Sequence, residues 1–120
     1  MPSRAVILFG HGSRDPLWRV PIESVAAQLA VAQPGLSVRC AYLELSTPDL
    51  PATAAELTGT GAQSITIVPM FLGTGRHARE DLPVLVERLR MAYPSVEFKV
   101  QQAVGEDARV LALLAEIAAE

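Results

Sequence analysis

Residues 4–16 read RAVILFGHGSRDP. From Ala5 to Phe9 the chain is apolar without a break, and Val6 and Ile7 are β-branched. A strand with one wet face alternates apolar and polar residues. A short unbroken run instead marks a strand covered on both faces, the state of strands inside a parallel sheet. Gly10 and Gly12 end the run, and Asp15-Pro16 supplies a cap followed by a residue preset for a first helical turn. Strand, glycine loop and helix start together open a βαβ unit.

The unit recurs along the chain. Helical spacing over 16–32 puts Val20, Ser24, Ala27 and Val31 on one face, and 38–44 (VRCAYLE) reads as a second strand. A helix opens at Thr47-Pro48, runs to about Leu57 and is closed by Gly59 and Gly61. Residues 64–70 (SITIVPM) form a third strand, followed by a helix over 79–92 with Pro83 in its first turn, where proline is tolerated. A fourth strand over 96–102 and a last helix over 107–119 complete a βαβαβαβα order. That alternation predicts an α/β fold, a four-stranded parallel sheet with helices on both faces. Right-handed crossovers that cover both faces require the winding to reverse once, so the expected strand order is 2-1-3-4. Ile7, Leu29 and Pro34 match Ile67, Leu89 and Pro94 at a spacing of 60, which two similar βαβα units account for.

At 120 residues the chain suits one domain, expected over 1–120. Half of the residues are hydrophobic and only 19% are charged, which excludes intrinsic disorder. A net charge of −3 argues against a nucleic-acid partner. The single cysteine, Cys40, cannot form an internal disulfide and reads as a small core hydrophobe. The N-terminal apolar run is too short for a signal segment or a membrane span, so a cytoplasmic protein with no membrane partner is expected.

Ligands of open α/β sheets bind beyond the carboxyl ends of the strands, where the winding reverses. Here that point lies between the loop after the first strand and the loop after the third. The chain's two histidines, His11 and His77, fall in those loops, and Glu44 ends the second strand toward the same rim. His11, Glu44 and His77 are separated by 33 residues at each step, one βα unit per step. Two imidazoles and a carboxylate make a mixed nitrogen and oxygen set that suits cobalt, nickel, iron or zinc. A structural zinc site would be closed by four ligands and rich in thiolate. The bland alternative is that each histidine is a polar surface residue.

Gly12, Gly73 and Gly75 would let a flat ligand approach the main chain. Neither glycine loop matches a dinucleotide or P-loop fingerprint, and GHGS around Ser13 is not a nucleophile elbow. Arg14, Arg19, Arg76 and Arg79 cluster near the rim and suit an anionic, carboxylate-bearing ligand, unless they merely partner Asp15, Glu80 and Asp81. Trp18 either packs in the core or walls the crevice. One such unit offers a single wall, and the last helix is apolar around most of its circumference, so a homodimer is expected.

GHGSRD after a strand, a strand ending in YLE, and VPMFLGTGRHAREDLP together closely resemble the small, single-repeat sirohydrochlorin chelatases. The resemblance covers essentially the whole chain and implies a chelatase-like fold, one flavodoxin-like half unit of the longer class II enzymes. It implies that His11, His77 and Glu44 insert a divalent metal into sirohydrochlorin. The metal is Co2+ for cobalamin, Fe2+ for siroheme or Ni2+ for coenzyme F430, and it is a substrate rather than a permanently bound cofactor. Arg14, Arg76, Ser13, Gly12, Gly73 and Gly75 are the expected contacts to the tetrapyrrole. A carrier that binds tetrapyrrole or metal without turnover would use the same loops. These residues contain no histidine-rich segment of the kind some members carry.

Overall fold

The computed structural model describes residues 3–120, so Met1 and Pro2 of the expected domain lie outside the described residues. Its four strands are β1 (Arg4–Gly10), β2 (Ser37–Tyr42), β3 (Ser64–Pro69) and β4 (Glu97–Val100). They form one sheet in the order β2-β1-β3-β4, every pair parallel. This is the expected order. β1 lies between two strands and is buried from Ala5 through Gly10, which is why its sequence does not alternate.

The helices are α1 (Val20–Ala32), α2 (Leu50–Gly59), α3 (Arg76–Ala92) and α4 (Ala108–Ala118). On one face of the sheet, Leu50, Ala54 and Leu57 of α2 and Ala78, Leu82, Val86 and Leu89 of α3 pack on Ile7, Phe9, Ile65, Ile67 and Phe98. The spacing of those α3 residues is the stripe that helical periodicity requires. On the other face, Ile22 of α1, with Ala26 and Leu29, covers Val6, Leu8 and Tyr42. β3 departs from the double burial expected of it. Ile65 and Ile67 are buried, while Thr66 and Val68 are half-buried, because α1 packs chiefly on β2 and β1 on that face.

Several boundaries are corrected. The expected helix over 16–32 is a 3-10 turn, Pro16–Arg19, followed by α1. A continuous helix would need an N–H at Pro21 and would drive its ring into the preceding turn. The expected core face is also wrong: Val20 and Val31 are exposed and Ile22 is the buried residue. α2 begins at Leu50, not at Thr47-Pro48, because Asp49 is the cap; its carboxylate accepts from the Ala52 amide at 2.9 Å. Thr47-Pro48 is a cis peptide just before it. α3 begins at Arg76 rather than at 79, which puts Pro83 inside the helix on its exposed side. β4 ends at Val100.

α4 starts after Asp107, whose carboxylate accepts from the Arg109 amide and guanidinium and is held at about 2 by them. No residue of α4 is buried, and it packs chiefly on the turn Val104–Glu106 that precedes it. Helices therefore cover both faces as expected, with α4 on neither. No helix among the described residues is long and apolar enough to cross a membrane.

Candidate metal centre

The loops that leave β1 and β2 are tied backbone to backbone. The Leu43 amide donates to the Gly10 carbonyl at 2.9 Å and the Glu44 amide to the His11 carbonyl at 3.0 Å. Ser46 extends the tie: its hydroxyl accepts from the Ser13 amide and donates to the Ser13 carbonyl. Gly12 makes the approach feasible. Its φ is +107°, and a Cβ there would stand 1.6 Å from the Glu44 carbonyl oxygen. On the other loop Leu45 adopts φ +65°, a left-handed conformation that costs a leucine about 1–2 kcal/mol.

This lacing sets His11 beside Glu44, with the imidazole Nε2–H donating to Glu44 Oε1 at 3.0 Å. Glu44 lies two residues beyond β2 rather than at its end, yet it reaches the expected rim. His77 arrives from the other side. It stands in the first turn of α3, not in a loop, with Nδ1 3.6 Å from the same Glu44 oxygen. The two imidazole centroids are 6.3 Å apart, tilted by 58°. One ligand atom from each of His11, Glu44 and His77 lies within 4.8 Å of the others. A metal about 2.0–2.2 Å from each donor sets donors about 3–4 Å apart, so small side-chain rotations would close this set on an ion. The site is open: the three side chains are 41%, 41% and 60% exposed, leaving a face for a second reactant.

A fourth residue was not anticipated in this role. Asp81, one helical turn beyond His77, sets a carboxylate oxygen 3.0 Å from His77 Nε2. A carboxylate beside Nε2 favours the proton there and leaves Nδ1 on the side of Glu44, the usual way a metal-ligating imidazole is oriented. The signal was the i,i+4 spacing on a helix, visible only once the helix starts at Arg76.

The expected tetrapyrrole contacts divide. Gly73 and Gly75 have open space where a Cβ would stand, so the main chain there is approachable. Gly12 is not: the group that approaches it is the Glu44 backbone. The Ser13 hydroxyl is taken up by the Asp15 amide, which shapes the loop. Arg14 is exposed and makes no ion pair among the described residues. Arg76 pairs with Glu80 at 3.0 Å, Arg79 reaches the Thr74 carbonyl, and Arg19 faces a different concavity with Glu23 and Tyr42. Of the two places expected for Trp18, the core is not the one taken: it is 40% exposed, with its ring 5.9 Å from that of Tyr42. Cys40 is half-buried, and burial with the nearby Glu23 charge keeps its thiol protonated above the ordinary range.

A concavity of about 620 Å³ around Thr58, Gln63, Tyr93 and Val96 lies at the opposite edge of the sheet. It holds no imidazole, carboxylate or guanidinium, so the chemistry belongs at the histidine rim.

Comparison with known proteins converges on one family. A family model described as CbiX matches residues 5–120. A sirohydrochlorin cobaltochelatase of Methanococcoides burtonii is 32% identical over 82 residues, 68% of this chain and 63% of that protein. The match thus spans less than two thirds of that relative's length. The crystal structure of a CbiX protein from Marinobacter aquaeolei superposes with a TM-score of 0.83 at 29% identity, over 97% of this chain and 94% of that one. The sirohydrochlorin chelatase SirB from Bacillus subtilis subspecies spizizenii, solved with cobalt, gives 0.78 at 26% identity over 99% of this chain and 50% of SirB.

Proposed function

This chain belongs to the CbiX family, and from that premise we propose that it inserts a divalent metal, Co2+ first, into sirohydrochlorin, exchanging two pyrrole protons for the ion. The observation that carries the reading is the convergence of His11, Glu44 and His77 on one open point at the rim of the sheet. A single chelatase-like unit over 1–120, working as a homodimer in the cytoplasm, completes it.

The chemistry follows from the donor set. In the metal-free chain His11 Nε2–H is bonded to Glu44, so loading an ion moves that proton to Nδ1 and frees the Nε2 lone pair. His77 faces Glu44 through Nδ1, and the Asp81 carboxylate beside Nε2 favours the tautomer that leaves Nδ1 free for an ion. Three donors hold an ion while leaving coordination positions open to incoming pyrrole nitrogens. As the metal passes to the macrocycle, each imidazole or carboxylate that lets go regains a lone pair and becomes a base. Ligand release and proton uptake are then the same event, and general base catalysis of this kind contributes typically ~10²–10⁴-fold. The metal enters as M2+, two protons leave, and the charge of the macrocycle core is unchanged.

Sirohydrochlorin is a polycarboxylate, which gives exposed Arg14 and Arg76 an electrostatic purpose. The approachable main chain at Gly73 and Gly75 suits a flat ring. Cobalt heads the metals because the named relative is a cobaltochelatase and SirB was solved with cobalt; Fe2+ and Ni2+ suit the same donors. The test is insertion followed by visible spectroscopy with sirohydrochlorin and Co2+, Fe2+ or Ni2+ in turn. A rate well above the uncatalysed one is expected. A rate no higher would make the chain a carrier and overturn the proposal.

A further inference from the structure

Two leucines stand out of the loops around the metal centre. Leu45, next to Glu44, is 54% exposed, and Leu72, in the loop that leaves β3, is 67% exposed. Neither belongs to the core on either face of the sheet. Single exposed leucines are common and need no explanation. These two are set apart by the main chain beneath them.

Leu45 is the centre of a tight turn, closed by the Ser46 amide donating to the Glu44 carbonyl at 2.8 Å. A hydrogen bond spanning three residues around a positive φ, here +65°, is the strained form of the γ-turn. Glycine occupies that region freely, whereas the Cβ of leucine is penalised there. Leu45 has no room to relax, because Leu43, Glu44 and Ser46 are all bonded to the loop after β1. Leu72 is held in a different way. Phe71 before it turns inward and is buried, and its carbonyl accepts from the Gly105 amide at 2.9 Å. Gly105 lies so close that a Cβ there would collide with the Leu72 main chain. Both leucines are thus exposed side chains on rigid backbone. Strain enforced by the surroundings and spent on an exposed side chain points to function rather than folding.

Their placement says what they meet. In the order β2-β1-β3 the exit loops of β2 and β3 stand two strand spacings apart, roughly 10 Å, with His11 between them. The metal centre therefore has an apolar side chain on each flank. We propose that Leu45 and Leu72 are substrate-positioning residues, which bear on the apolar ring of the tetrapyrrole and set its pyrrole nitrogens over the ion. This role rests on the function proposed above and deepens it. Carboxylates at the periphery of the macrocycle give the arginines a handle on its edge, while the ring itself offers only apolar contact area. Leucines fixed before the ring arrives lose little freedom on binding it, and orientation of this kind raises the rate of the step that follows.

Leu45→Gly separates the turn from its side chain, since glycine keeps the backbone and removes the strain. It should melt within about 3 °C of the unaltered chain, because strain relief offsets the freedom that glycine adds to the unfolded state. By calorimetry it should bind Co2+ as tightly as before. Its kcat/KM for insertion into sirohydrochlorin should nevertheless fall about 10- to 100-fold, and Leu45→Met should restore it to within about threefold. Met91→Ala, an exposed apolar residue at the far end of α3, should leave insertion unchanged. Normal insertion by Leu45→Gly overturns the assignment. A loss of Co2+ affinity or of stability in that variant also overturns it, by making the turn a support for Glu44 alone. Leu72→Ala, which leaves its own backbone undisturbed, should lose about tenfold, and a normal rate there removes Leu72. Should the unaltered chain insert no metal, the proposed function falls and binding decides the leucines. Metal-free sirohydrochlorin is then titrated into both chains: weaker binding by Leu45→Gly upholds the positioning role, and equal binding overturns it.

Discussion

The two sides of the metal centre are built differently. His11 and Glu44 hang from loops laced together by main-chain bonds and by Ser46, over a glycine no other residue could replace. His77 stands in the first turn of a helix, 60% exposed, with the Asp81 carboxylate 3.0 Å from its Nε2. One side is fixed by main-chain lacing and the other by exposed side-chain ion contacts. Under the proposed function the site takes an ion from water and yields it to a macrocycle, which calls for both: a rigid pair to define where the metal sits, and a ligand that can let go.

The comparison can be broken at its ligands. His11→Ala and His77→Ala should each lower the insertion rate by ~10²–10⁴-fold with folding changed by no more than about 1 kcal/mol. Because both act on one ion, the double variant should be scarcely slower than either single one. Initial rates on variants checked by thermal melting would show this, and near-normal turnover in either would remove that residue from the site. Next in size is the lacing. Gly12→Ala forces a Cβ into the Glu44 carbonyl at positive φ and should cost about 2 kcal/mol or more, with loss of activity, whereas Gly73→Ala, facing open space, should stay within about 0.5 kcal/mol. Denaturant midpoints of the two variants measure the contrast.

Asp81 sharpens the difference between the two histidines. Asp81→Asn should lower metal affinity or insertion about 10–100-fold by releasing the His77 tautomer, leaving the chain as stable as before. Calorimetric titration with Co2+ gives the first number and insertion rates the second. The smallest effects belong to the arginines. Arg14→Ala should raise the apparent KM about fivefold, the worth of about 1 kcal/mol, with kcat intact. Arg76→Ala should do less, since its guanidinium is already engaged by Glu80. A fall in kcat at unchanged KM would move either residue into the reacting set.

Much of this is legible in the residues alone, for particular reasons. The doubly buried run at Ala5–Phe9 marks the central strand, and the chirality of crossovers then leaves one sensible strand order. With the order known, the exit loops of the first three strands must meet, and His11, Glu44 and His77 are what they carry. The start of α3 is harder to read because Gly75 caps it without a side-chain bond, and Pro83 suggests a start at 79, three residues too late. Asp81 escapes notice for the same reason. The phase of α1 is hidden by Pro21, which resets the helix and turns Ile22 inward. The apolar character of α4 is plain, but no local rule says that none of its residues is buried.

Pro83 has a consequence for how α3 breathes. With no N–H at that position, the Arg79 carbonyl has no partner one turn ahead, and the segment 76–82 is joined to the rest of the helix by one bond fewer. Local opening, which draws on the least protected part of a fold, should begin there. Amide hydrogen exchange should find residues 80–82 roughly five- to tenfold less protected than 87–91, the worth of about one hydrogen bond. His77 then rides on the part of α3 that unfolds most readily and refolds without disturbing the core. Its hold on an ion would have a lifetime set by that opening, a clock for metal release written into the helix rather than into the ligands.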